Sequence, residues 1–197
     1  MRLYAHQHPD QVQGLILTDG LYESEMLQMP WSLKTLKLLF VSGFVMSVLG
    51  SLLGLVRLIG YGHGFELLKP SLKKFPIRAL RPIKRSFYRP QHWITMSREM
   101  INLERSGAQL KVATDLGDLP IISIKSASFF APTWYTAWLP LKTANRLRDR
   151  IHEHLHQLSS NTRQVHATQS SHFVWVDEPE LIVRAVQELL VTSNTKE

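Results

Sequence analysis

The chain has 197 residues, 44% of them hydrophobic, enough for one ordinary globular core or for one core with an excursion. It contains no cysteine, which excludes disulfides, thiolate zinc sites and a cysteine nucleophile, and fits a reducing compartment. The formal charge is +7 and is unevenly spread, because from Arg57 to Arg89 Lys and Arg recur with Glu66 as the single acid. A stretch of this kind suits phosphate, in nucleic acid or anionic lipid, or a solvated helical face. With no RNA-binding signature, zinc finger or helix-turn-helix spacing beside it, nucleic acid is not expected as a partner.

The opening residues Met1 to His8 read as the last turns of a helix stopped by Pro9, and they carry neither the apolar core nor the cleavage site of a signal peptide. From Val12 to Asp19 an apolar run predicts a strand buried on both faces, closed by Gly20. Residues 23 to 105 lose the strand character. Helical runs, basic residues and Pro30, Pro70, Pro76, Pro82 and Pro90 mark them as a helical insertion. Within it, Leu38 to Val56 is an uncharged run of 19 residues between Lys37 and Arg57. By length it qualifies as a membrane span; an apolar helix covering a site, or one dipping into a lipid surface, is the preferred reading.

Strand character resumes at Leu119 to Ile124, followed by a helix over Leu141 to Leu158, a short strand over Gln164 to Thr168 and a last helix over Pro179 to Val191. In that last helix Leu181, Ile182, Ala185, Val186 and Leu189 form one apolar stripe. Asp177 and Glu180 have the spacing of a capping box. The alternation of strands and helices argues an α/β architecture on a parallel sheet, although three strands are few for a sheet covered on both faces.

Ligands of open parallel sheets sit at the carboxyl ends of the strands. Two polar residues fall there, Asp19 after the first strand and His172 after the third. A histidine paired with a carboxylate can act as a general base, whereas a loop histidine bonded to backbone is the plainer reading of His172 alone. In His-Glu-His-Leu-His, His152 and His156 share a helical face and His154 does not, so a solvated face is preferred over a two-histidine metal site. Trp134, Tyr135, Trp138, Phe173 and Trp175 flank the two late loops and can line an apolar pocket or pack in the core.

Three segments together resemble the α/β-hydrolases. Arg2 to Asp19 looks like the segment just after that family's nucleophile elbow, with His8-Pro9, then Val12, Gly14-Leu15 and a strand closing on Asp19. Leu119-Pro120-Ile121-Ile122-Ser123-Ile124 is similar to a late strand, and Gln169 to His172 with Asp177 to Ile182 resembles the catalytic-histidine loop and last helix. The resemblance implies a partial α/β-hydrolase fold: core segments 1–24 and 106–197 around a helical cap at 25–105. It implies a Ser-His-acid hydrolase of an ester or similar small apolar substrate, with His172 as base, no cofactor and no metal.

Two departures qualify this. No Gly-x-Ser tripeptide occurs anywhere, so the nucleophile turn is missing and the chain is expected to be a fragment of the enzyme. The loop Lys125 to Phe130, where many members hold the acid, has no carboxylate. Some members hold the acid one strand earlier, which makes Asp19 the expected acid. The alternatives are a non-catalytic membrane-associated protein using residues 38–56 and the basic stretch, and a pseudo-enzyme binding apolar ligands. The location expected is cytoplasmic or membrane-associated.

Overall fold

The computed structural model describes residues 1–68, 72–73, 75–128 and 141–194. The chain divides into two compact units, one of Met1–Leu33 with Glu104–Glu197, the other of Lys34–Leu103.

The first unit is built on a parallel sheet. Strand β1 (Leu15–Thr18) pairs with β2 (Ile121–Ser126), and β2 with β3 (Thr162–Ala167), in the spatial order β1-β2-β3. The fold class is thus α/β, mostly helical around a small sheet. All three strands sit within two or three residues of their expected positions, shorter at β1 and shifted at β2 and β3. The central strand explains the apolar run that marked it: Ile121, Ile122 and Ile124 are all buried, as a strand covered on both faces requires. One face is covered by the helix Pro179–Asn194. Here Ile122, Ile124 and Ala167 form a cluster with Val174 and Ala185, extended by Ile16, Val165, Leu181, Ile182 and Leu189.

The helices preceding the insertion are α1 (Arg2–Gln7) and α2 (Glu23–Leu27). Pro9 has no amide hydrogen and disfavours helix in the residue before it, so α1 stops at Gln7 and a single 3-10 turn, Pro9–Gln11, leads to β1. Gly14 sits in a tight place at the strand entry. A Cβ there would lie 3.1 Å from both methyls of Leu189 and from the Pro120 carbonyl oxygen.

In the second unit lie most of α3 (Trp31–Leu52), then α4 (Leu55–Tyr61), α5 (Gly64–Leu68), α6 (Ile77–Phe87) and α7 (Pro90–Ile101). Its core is Val56, Phe65 and Leu72 with the aromatic rings of Phe87, Tyr88 and Trp93 packed against them. Phe65 meets Phe87 edge to face at 5.0 Å between centroids, a favoured aromatic geometry. Gly60 is buried beneath Tyr88, and a Cβ would approach the Tyr88 hydroxyl to 2.4 Å. Glu66, the lone acid of the basic stretch, is buried in an ion pair with Lys84 rather than solvated. Burial raises the Glu66 pKa most, but the hydrogen bonds from Lys84, the backbone and His63, with the charge of Lys84, together outweigh it and leave a net lowering.

Returning to the first unit, the chain forms α8 (Leu103–Leu110), α9 (Leu141–His156), α10 (Val174–Asp177) and α11 (Pro179–Asn194). On α9, Ala144, Leu147, Arg148, Ile151, His152 and Leu155 are all buried, an i, i+3/i+4 stripe. The stripe expected on α11 holds at Leu181, Ile182, Ala185 and Leu189, which pack on the cluster above, but Val186 is exposed. The position lies at the margin of the apolar face.

One buried ion pair ties the start of the chain to α2. Arg2 Nη2 lies 2.5 Å from Glu23 Oε2 and donates at 3.2 Å to the Leu110 carbonyl, with its guanidinium 5.0 Å from the Tyr22 ring centroid. Breaking such a pair from one side strands a buried charge, whereas replacing both partners by apolar residues does not. Glu23→Ala is expected to cost about 3–5 kcal/mol in urea unfolding, and Arg2→Met with Glu23→Leu to remain near the parent. Equal losses in the single and double variants would show that the charges are not coupled.

Candidate active site

Asp19 is the first residue beyond β1, and it turns the chain with a left-handed backbone, φ 45. Asp tolerates that region better than most residues because its short polar side chain can bond locally. The Asp19 amide still donates to the Ile124 carbonyl at 2.7 Å, so the ladder between β1 and β2 continues one residue past the strand. The carboxylate is thereby held at the carboxyl end of the sheet, with a side chain only 1% exposed.

Three groups from three elements converge on it. His172, from the loop after β3, places Nδ1 2.7 Å from Oδ2. His152, on α9, places Nε2 3.1 Å from Oδ1. The Ser126 amide, at the end of β2, donates to the same Oδ1 at 3.2 Å. The loop after β2, which lacks a carboxylate, therefore contributes a backbone donor to an acid on the neighbouring strand.

Hydrogen-bond roles follow from the donor inventory. An ionised carboxylate only accepts, so His172 donates from Nδ1 and His152 from Nε2. Ser123 Oγ lies 3.2 Å from His152 Nδ1, and with the proton on Nε2 the Ser123 hydroxyl is the donor to that nitrogen. As neutral imidazoles the two would bear their protons on opposite ring nitrogens. Burial pushes the Asp19 carboxyl up, but the hydrogen bonds from His152, His172 and Ser126 outweigh it and hold its pKa well below the ordinary 3.8.

The loop that presents His172 is anchored at both ends and braced in the middle. Ala167 and Val174, on either side of it, are fully buried in the cluster under α11. Ser171 donates from its amide at 3.0 Å and from Oγ at 2.6 Å to Asp177 Oδ2, and the Gln169 amide donates to Glu178 Oε2 at 2.9 Å. Asp177, expected to open a capping box with Glu180, ends α10 and also accepts from the histidine loop. A bond from the Ala127 amide to the Ser170 carbonyl, 3.0 Å, joins the loops after β2 and β3. Arg148 on α9 donates to Ser126 Oγ at 3.4 Å and to the Ala127 carbonyl at 3.1 Å.

Of Asp19, His152 and His172, His172 alone is open to solvent, at 30% exposed. Phe173 and Trp175 meet its ring edge to face at 5.6 and 6.2 Å. Trp134, Tyr135 and Trp138 lie outside the described residues. A cavity of about 150 Å³ lined by Ala5, Pro9 and Leu119 among others lies at the opposite end of the strands and is no part of this site.

Sequence reasoning marked Asp19 and His172, which the fold brings together, and missed His152, Ser123, Ser126 and Arg148. The solvated histidine face is corrected: His152 is 1% exposed, and His154 stacks on Tyr22 at 4.9 Å. No group of three or more His, Asp or Glu able to hold a metal ion occurs among the described residues. Comparison with protein-family models, with curated proteins and with solved structures finds no match to the chain. Function must therefore be argued from this geometry.

Two outcomes test it. Long-range nitrogen–proton correlation on labelled protein at neutral pH should show His172 protonated on Nδ1 and His152 on Nε2, and like tautomers at both would refute the network. The lowered Asp19 pKa also fixes a sign. A carboxyl depressed on folding contributes stability that is complete above its unfolded pKa, about 3.9, and is lost as pH falls below it. Urea unfolding should therefore show Asp19→Asn less stable than the parent at pH 7, with the gap narrowing below about pH 4.

Proposed function

We propose that Asp19 and His172 are the acid and base of a Ser-His-Asp hydrolase of the α/β-hydrolase type. The substrate is an ester or a similar small apolar carbonyl compound, and the nucleophile comes from sequence outside these 197 residues. The observation that carries the reading is the 2.7 Å bond from His172 Nδ1 to Asp19 Oδ2, made across strand ends separated by 153 residues.

The chemistry follows from that bond. With Nδ1 protonated and held by the carboxylate, the lone pair that can act as base is on Nε2, at the far side of the ring. There the imidazole would take the proton of an attacking serine hydroxyl and return it to the leaving group. Asp19 would fix the tautomer and stabilise the imidazolium, and an ionised, strongly bonded carboxylate suits that task. His152 and Ser126 saturate the other oxygen, so Oδ2 remains oriented towards His172. These are positioning groups in this scheme, not reacting ones.

The sheet supports the missing partner. Among the described residues β1 is paired on one edge only, by β2. A further parallel strand on its other edge would end beside Asp19, where a strand-to-helix turn could present a serine. Phe173 and Trp175 beside His172 supply apolar surface for the substrate. The helical unit 34–103, inserted between β1 and β2, occupies the place of a cap in the chain order. A non-catalytic membrane-associated protein is the competing reading, supported by the exposed apolar surface of that unit.

The test is hydrolysis of p-nitrophenyl esters. The 197-residue chain alone should show no His172-dependent turnover. Joined to the upstream-encoded segment bearing a strand and Gly-x-Ser-x-Gly turn, it should become active, and Asp19→Asn or His172→Ala should then lower kcat by roughly 10⁴-fold. Activity indifferent to both substitutions would sink the assignment. Activity of the 197-residue chain that His172→Ala abolishes would retain the base and refute the external nucleophile.

A further inference from the structure

We infer that the unit of residues 34–103 is a membrane-docking surface that lies on, and does not cross, an anionic lipid bilayer. The inference is independent of the hydrolytic reading.

The surface begins with α3. Leu38, Val45, Met46, Leu49, Leu52 and Leu53 are between 49% and 76% exposed. Their spacing from Leu38, at i+7, i+8, i+11, i+14 and i+15, places them on one side of the helix in a stripe about 22 Å long. The other side faces protein: Phe40 stacks on Phe44 at 6.4 Å, Phe44 lies 6.1 Å from Trp93, and Ser51 is buried. An apolar helix that buries one side and leaves an equally apolar side in water marks an interaction surface. Leu58 on α4 and Leu67 on α5, 66% and 74% exposed, add to the apolar surface of the same unit.

Charge selects the occupant. Residues 34–103 hold twelve Lys or Arg and two Glu, a net +10, while the rest of the chain is net −3. One of the two acids, Glu66, is neutralised by Lys84 inside the unit. On α6, Arg78, Arg81 and Arg85 are exposed at i, i+3 and i+7, on the side away from Leu80 and Phe87, which pack on the core. Apolar side chains with many cations suit the boundary between acyl chains and anionic headgroups.

Topology excludes crossing. α3, at 22 residues, is long and apolar enough to span a bilayer. But β1 precedes it and β2 follows it in one hydrogen-bonded sheet, so the chain must return to the side it left and cross an even number of times. Between Arg57 and Lys111 no uncharged run exceeds eight residues, far below the roughly 20 that a second span needs. With crossing excluded, α3 is inferred to lie along the interface.

Flotation of the purified 197-residue chain with vesicles tests this. It should float with phosphatidylcholine vesicles containing phosphatidylglycerol, far less with pure phosphatidylcholine, and be released by carbonate at alkaline pH. Arg78→Glu with Arg81→Glu and Arg85→Glu should weaken anionic binding by about a hundredfold or more, and about 1 M salt should weaken it in the unmodified chain. Met46→Ser with Leu49→Ser should also weaken it. The lipid and salt dependence of the unmodified chain decides the matter even if a variant fails to fold. Equal binding to neutral and anionic vesicles, carbonate resistance, or a stable dimer that ignores vesicles would each overturn the inference.

Discussion

A carboxylate withdrawn from water is the constraint around which the first unit is arranged. Asp19 is ionised and almost fully enclosed, a state that would cost several kcal/mol without partners. Its partners come from the end of β2, from the loop after β3 and from α9. Each must be in place for the others to be useful, because a partly satisfied buried charge is worse than none. The site and the packing of the sheet's carboxyl end are therefore one structure.

That dependence explains details with no obvious chemical role. The left-handed turn at Asp19 aims the side chain along the strand ends while keeping the ladder bond to Ile124. His152 needs its own partner to keep the right proton, and Ser123 provides it from inside the sheet. Arg148 fixes the Ser126 turn that supplies the amide, and Asp177 fixes the loop that supplies His172. Support therefore reaches the carboxylate through a second layer of hydrogen bonds that keeps His172 at bonding distance despite its partial exposure.

Sequence revealed the strands because β2 is apolar at consecutive positions, a pattern that a doubly covered strand requires and few other elements produce. Asp19 and His172 were legible for a different reason, their place immediately after strands. His152 was not, since three alternating histidines suggest a polar face when read alone. The signal was available in the helix period: Arg148 and His152 fall on the same turns as Leu147, Ile151 and Leu155, so the buried stripe itself contains two polar residues. A polar residue within an apolar stripe needs a buried partner, and that partner lies 133 residues away at Asp19. Asp177 has a role that its spacing did not reveal. Its spacing fits a local cap, and its carboxylate also bonds to a residue six positions upstream, a partner that spacing alone does not encode.

The same distinction between local pattern and chain closure governs α3. A window of apolar residues reads as a span on composition alone, because neither length nor hydropathy records where the chain goes next. The pairing of Leu15 with Ile121 does record it, since two strands of one sheet cannot be on opposite sides of a bilayer. A long-range hydrogen-bond register thus constrains the topology of a helix between the strands. With crossing excluded, the exposed leucines and the +10 charge of the insertion are the two features that the proposed lipid surface, apolar below and anionic above, would accommodate together. The features that would meet lipid, the apolar stripe of α3 and the arginines of α6, all belong to the insertion.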